Sequence, residues 1–198
     1  MKNETRWSID QTHSEITFKV GHLMTAHVTG SFKKFDAHIY TKQKDFITAE
    51  IDLCIDASSL TTWDIKRDEY LKSLNFFDIE NYKQITFISN TIGKTDKEGN
   101  HELWGELTIK GITKNIKLNV QFGGIINDPW GNEKARYSVN GTIKRSDWGL
   151  EWSSEKGGFM IGDEITISCE VELINNGQKE SIMELEKASD TFDTEMMR

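Results

Sequence analysis

Most of the chain alternates apolar and polar residues with period two, the pattern of strands that bury one face. Ile16, Phe18 and Val20 alternate with Thr17 and Lys19, and Ile47, Ala49, Ile51, Leu53 and Ile55 with Thr48, Glu50, Asp52 and Cys54. Leu103, Leu107 and Ile109 share one parity, and Ile116, Leu118, Val120 and Phe122 oppose Lys117, Asn119 and Gln121. The clearest run is the last, with Ile165, Ile167, Cys169, Val171 and Leu173 set against Glu164, Thr166, Ser168, Glu170 and Glu172. Weaker runs near 27–40, 84–90 and 135–145 bring the prediction to about eight strands. One-sided alternation predicts antiparallel pairing, because parallel sheets covered on both faces read as continuous apolar runs. Turns are expected at Lys97-Glu98-Gly99-Asn100, Lys110-Gly111, Gly123-Gly124 and Asp128-Pro129-Trp130-Gly131-Asn132. The fold class is all-β, and both sandwich and barrel satisfy the pattern.

One stretch breaks the alternation. In residues 61–77, TTWDIKRDEYLKSLNFF, Thr61 followed by Asp64 resembles a capping signal. Ile65, Leu71 and Leu74, with Tyr70 nearby, then fall on one side of a helical wheel, so one short helix is predicted between two strands. After residue 174 the alternation stops. Residues 175–198 read as an acidic C-terminal tail, with a partly helical pattern around Ile182–Ala188, attached to a single domain spanning 1–174.

Composition narrows the possibilities. The formal net charge of −8 argues against a broad footprint for nucleic acid or an anionic membrane surface. No run approaches the roughly 18 apolar residues of a spanning helix, so stable membrane insertion is not expected. The opening MKNETRWSID has no apolar core of a leader, which predicts a cytoplasmic location. Cys54 and Cys169 have opposite strand parity and suit free thiols in a reducing compartment.

Candidate chemistry is sparse. Four of the five histidines, His13, His22, His27 and His38, crowd the first 38 residues, but their spacings match no compact metal motif. His22 shares the parity of Ile16, Phe18 and Val20 and is expected to point inward at a strand end, hydrogen-bonded. His13 and Ser14 are strand neighbours facing opposite ways, a poor dyad, and no nucleophile elbow or phosphate loop occurs. The carboxylate pairs Asp52/Asp56 and Glu170/Glu172 belong to expected solvent faces. No catalytic constellation, metal site or cofactor is predicted. An eight-stranded barrel holds either a packed core or one small ligand. Inward glycines at Gly30, Gly105 and Gly141 either clear space inside it or relieve strain where it bends.

Several blocks carry a resemblance. They are Trp7-x-x-Asp10-x-x-His13-Ser14-x-Ile16-x-Phe18-x-Val20-x-His22, then Ser59-x-x-Thr62 with Lys66-Arg67-Asp68-x-x-Leu71-x-Ser73-x-x-Phe76-Phe77-Asp78. Ile85-x-Phe87, Gly105-x-Leu107-Thr108-Ile109-x-Gly111-Ile112-Thr113-Lys114, Arg145-Ser146-Asp147-Trp148-Gly149 and Ile161-Gly162-Asp163-Glu164-Ile165 follow in order. Together they resemble the YceI-like, polyisoprenoid-binding family over residues 7–174. Tyr70 stands where that family usually has His, Lys83 where Pro is common, and Asn115 where Pro often follows Thr-Lys. The resemblance implies a lipocalin-like antiparallel barrel, a homodimer, and a long apolar pocket for an isoprenoid or other lipid chain.

The expected function is therefore non-catalytic carriage or sequestration of a hydrophobic ligand such as a polyprenyl lipid, isoprenoid quinone or fatty acid derivative. Its expected wall is Ile16, Phe18, Val20, Ile51, Leu53, Phe87, Leu107, Leu118, Val120, Val139 and Ile167. Asp10, His13, His22, Arg67 and Asp68 either meet a polar head group or pin the helical connection to the first strand. Two other readings stand beside it. One is an enzyme on a lipid-like substrate using His13 or His22. The other is a stress-related interaction module with a filled barrel, whose tail engages a partner.

Overall fold

The period-two segments form strands that curl into a closed antiparallel barrel. They are β1 (Glu4–Ile9), β2 (Glu15–His22), β3 (Ala26–Phe32), β4 (Phe35–Lys42), β5 (Asp45–Asp56), β6 (Leu60–Thr61), β7 (Gln84–Ile92), β8 (Asn100–Ile109), β9 (Ile112–Asn127), β10 (Glu133–Lys144) and β11 (Ile161–Asn175). The structure is a computed structural model and describes residues 4–22, 26–94, 96, 99–152 and 161–176.

The strand β11 organises the closure. Its Leu173–Asn175 segment pairs with β1, its Glu170 and residues N-terminal to it pair with β2, and its other edge pairs with β10. Since β1 and β2 share one edge of β11, they are two halves of one stave, interrupted at residues 10–14. The next stave is likewise split, with β4 on β1 and β3 on β2. Counted as staves, the ring has the eight members expected, in the order β1/β2, β3/β4, β5, β7, β8, β9, β10, β11.

The turns follow local chemistry, with one correction. Lys110 and Gly111 both take left-handed backbone, φ 51° and 73°, the paired positive angles that match a two-residue hairpin to strand twist. Asp128 closes the β9–β10 turn by accepting the amides of Trp130 and Asn132 through Oδ1. Gly123-Gly124, expected as a turn, lies instead inside the 16-residue β9. There the register shifts opposite Arg136/Tyr137, so the glycines form a bulge that bends a continuous strand. Gly124 has φ 112°, a backbone that side-chain-bearing residues avoid.

The helix is α1 (Ile65–Lys72), between β6 and β7. Its cap is Asp64, whose side chain accepts the amide of Arg67, and not Thr61, which belongs to β6. The expected apolar face is also revised. Leu71 is buried, but Ile65 and Leu74 are 78% and 71% exposed. Leu74 lies past the C-cap Ser73, where the 3.6-residue period no longer applies, and Ile65 opens the helix on its outer side. Phe76 and Phe77, beyond the helix, complete the apolar cover of that end of the barrel. Residues 177–198, and with them the expected helical pattern of the tail, lie outside the described residues, as do Lys97 and Glu98. Asn175 is the last residue of β11 and pairs with Trp7.

Candidate ligand cavity

Inward positions of every stave line one cavity of about 550 Å³, within the usual range for small-molecule sites. All eleven wall residues expected from parity line it: Ile16, Phe18, Val20, Ile51, Leu53, Phe87, Leu107, Leu118, Val120, Val139 and Ile167. Under α1 its lining includes buried Leu71, Phe76 and Leu150. At the opposite end, beside the β4–β5 and β9–β10 hairpins, lining residues Ile47, Phe122 and Ile125 are 42%, 44% and 42% exposed. Among the described residues the open rim is therefore at the hairpin end.

The inward glycines shape this lumen in a specific way. A Cβ on Gly30 would lie 2.2 Å from the Phe18 ring, and one on Gly105 2.4 Å from the Phe87 ring. At Gly141 it would lie 2.4 Å from a Leu118 methyl. Each glycine is thus overlaid by a neighbouring large side chain lying flat along the wall, Phe18 being directly opposite Gly30 across the β2–β3 pair. The glycines leave no holes; they let bulky residues hug the sheet and so keep the centre open.

The five polar positions do not converge on one site. Arg67 and Asp68 both grip Thr62: Asp68 accepts its amide and hydroxyl, while Arg67 donates Nε to its hydroxyl and Nη2 to its carbonyl at 2.8 Å. These bonds hold α1 against the strand end that precedes it, and Arg67 also reaches the cavity wall. His22 sits in a shallow neighbouring depression with Lys66, Arg67, Tyr70 and Trp152. Tyr70 packs its ring 4.5 Å from that of Trp152.

Asp10 and His13 belong to a separate cluster on the outer surface of the barrel. His13 Nδ1 is 2.9 Å from Asp10 Oδ2, and Lys134 Nζ donates to Asp10 Oδ2 at 2.9 Å and to Glu172 Oε1 at 2.7 Å. Arg136 Nε donates to Glu172 Oε2 at 2.8 Å. Glu172, expected on a solvent face, is only 4% exposed. Its outward parity is right, but the 10–14 loop folds over it: the Asp10 amide donates to the Glu172 carbonyl at 2.7 Å, and Ser14 Oγ accepts the Glu172 amide. Asp10, His13 and Glu172 place three potential metal-ligand atoms within 4.8 Å of one another. The Lys134 ammonium bonded to both carboxylates supplies the cation there. The cluster clamps the break between β1 and β2, where β11 changes partner.

Burial opposes ionisation of Asp10, but bonds from Lys134, His13 and the Thr12 amide outweigh it and lower its pKa to about 2. Glu172 is likewise lowered, burial being overcome by Lys134 and Arg136, and Lys134 is raised by its two carboxylate partners. Both carboxylates are thus held below their unfolded values, so their stabilisation is complete above the ordinary carboxylate range and is lost as pH falls through it towards 2. The raised ammonium contributes stability that disappears only as pH rises beyond its ordinary 10.5. For Asp10 alone the acid-side loss is on the order of 2 kcal/mol. Urea unfolding of wild type and Asp10→Asn across pH should show a gap near neutrality that closes between about pH 4 and 2; a constant gap would sink the assignment.

The thiols are poor nucleophiles. Burial and the Glu170 charge push Cys169, which lines the cavity, up to about 12. Burial and the charges of Asp52, Asp36 and Asp56 also raise Cys54. Sequence reasoning missed Tyr137 and Phe46 in the cavity and Lys134 and Arg136 in the outer cluster. The inward parity that Tyr137 shares with Val139 was the available signal; nothing local marked Lys134, because a distant loop buries it.

Residues 7–173 match the profile of the YceI-like domain. A UPF0312 protein of Staphylococcus aureus is 33% identical over 171 residues, covering 85% of this chain and 96% of that one. Among solved structures, a Campylobacter jejuni YCEI protein superposes with TM-score 0.67 at 32% identity, covering 77% of this chain and 88% of its own. Burkholderia cenocepacia BcnA has TM-score 0.72 at 23% identity, over 83% of this chain and 98% of that one. A domain from Saccharophagus degradans described as polyisoprenoid binding has TM-score 0.63 at 18% identity, over 85% and 98%; these last two share the fold.

Proposed function

The chain belongs to the YceI-like family, and we propose that it binds one long apolar chain, of polyprenyl or similar lipid type, inside the barrel and carries or sequesters it without chemical change. The observation that carries this reading is the continuous apolar cavity open at the hairpin end. Burying each methylene of a ligand contributes about 0.8 kcal/mol, so a long chain binds tightly there without a charged anchor. The Saccharophagus domain's description supports an isoprenoid chain as the ligand class. A carrier role is supported by the placement of the polar groups. His13 is outside the barrel and bonded to Asp10, and Arg67 and Asp68 are engaged by Thr62. A homodimer is part of the same proposal.

Native mass spectrometry of the purified protein, with lipid analysis of its organic extract, tests it. The expected result is an extractable lipid bound to the folded protein at one per barrel, in a species of dimer mass. Protein that remains apo after incubation with polyprenyl lipids and fatty acids overturns the lipid reading; monomer mass overturns only the dimer.

A further inference from the structure

Among the described residues, four buried side-chain polar atoms have no hydrogen-bond partner: Ser31 Oγ, His38 Nδ1, Glu133 Oε1 and Tyr137 Oη. Such groups are uncommon because each forfeits its hydration without replacement. Three lie outside the cavity wall, and Glu133 already holds Lys44 through its other oxygen at 2.6 Å. Tyr137 is different. Its side chain lines the cavity, in the same inward row of β10 as Val139 and Ile143.

The surroundings of Tyr137 are aromatic. Its ring is 4.9 Å from Phe46 and 5.3 Å from Phe122, and Phe46 is in turn 5.0 Å from Trp7. Phe122 belongs to the exposed rim, so this collar lies just inside the open end. It offers flat apolar faces around the unpartnered Tyr137 hydroxyl.

From this we infer that the Tyr137 hydroxyl is a polar subsite of the cavity, which selects apolar chains bearing an uncharged oxygen acceptor, such as a ketone, quinone or ester carbonyl, over plain hydrocarbons. The inference rests on the lipid-binding reading and specifies its ligand class. Burial raises the pKa of Tyr137, so the hydroxyl keeps its proton and acts as a donor throughout the physiological range. A charged head group fits less well. The nearby cation, Lys44, is committed to Glu133, and Asp45 and Glu133 place negative charge at this end. A carbonyl oxygen satisfies the hydroxyl without bringing a charge out of water.

Removing the hydroxyl tests the idea, because Tyr137→Phe keeps the ring and its packing. Delipidated wild type and variant are titrated with geranylgeranylacetone, a polyprenyl ketone, and with squalene, a hydrocarbon. The variant should bind the ketone about tenfold more weakly and squalene with unchanged affinity. In the apo form its Tm should equal or exceed that of wild type, since an unpartnered buried hydroxyl is lost. Equal effects on both ligands, or none on either, overturn the subsite, as does a lower apo Tm, which would assign the hydroxyl a bond within the protein. Failure of wild type to bind either probe overturns the lipid-binding reading itself, a result distinct from unselective binding.

Discussion

Lys134→Ala is expected to cost about 3–5 kcal/mol of stability, the loss that follows when one partner of a buried ion pair is removed. The size comes from what remains. Lys134 is 9% exposed, and its ammonium is the shared cation of Asp10 and Glu172. Without it two largely buried carboxylates face each other, with His13 and the Thr12 amide left on Asp10 and Arg136, from a side chain 59% exposed, on the far oxygen of Glu172. The damage should be local in origin and global in effect, because the cluster holds the 10–14 loop over the point where β11 passes from β1 to β2. Chemical unfolding at neutral pH measures it. The same experiment near pH 2 should show much of the difference gone, since protonated carboxylates no longer need the cation. A loss below about 1 kcal/mol at neutral pH would mean that the cluster behaves as an exposed ion pair.

Gly30→Val is expected to abolish or severely weaken lipid binding while preserving the barrel. The new Cβ would occupy the space of the Phe18 ring, 2.2 Å away, and that ring is a side chain free to swing towards the lumen. Displacing even two ligand methylenes costs about tenfold in affinity, and a phenyl ring excludes more than that. Some strain of overpacking, about 1–3 kcal/mol, accompanies the change. The double variant Gly30→Val/Phe18→Ala separates the two effects: removing the ring should restore binding by at least tenfold. Lipid affinity by native mass spectrometry is the readout. Wild-type affinity in the single variant would show that the lumen beside Phe18 is not where the ligand lies.

The two substitutions mark the boundary between what the chain shows residue by residue and what it hides. Phe18 and Gly30 were both legible as inward positions, yet nothing in a single strand says that one ring lies over the other's missing side chain. That relation needs the register of β2 against β3. Glu172 shows the opposite case, a residue whose parity was right and whose environment was not. Ile65 and Leu74 were placed by a helical period that the eight-residue helix is too short to sustain.

The sequence by itself determined the all-β class, about eight strands, the antiparallel pairing and the inward parity of the wall. These follow from a period-two pattern, and strand geometry sends alternate side chains to opposite faces whatever lies elsewhere. Even the bulge at Gly123-Gly124 left a mark, though its glycines read as a turn because both features need the same backbone freedom. Only the tertiary structure decided the rest. It set the open rim at the hairpin end, buried Lys134 and Glu172 beneath a loop, divided the polar positions between two networks, and left the Tyr137 hydroxyl unpartnered inside. Each of these depends on which residues far apart in the chain meet, and burial and hydrogen-bond partnership are properties of that meeting, not of any local pattern.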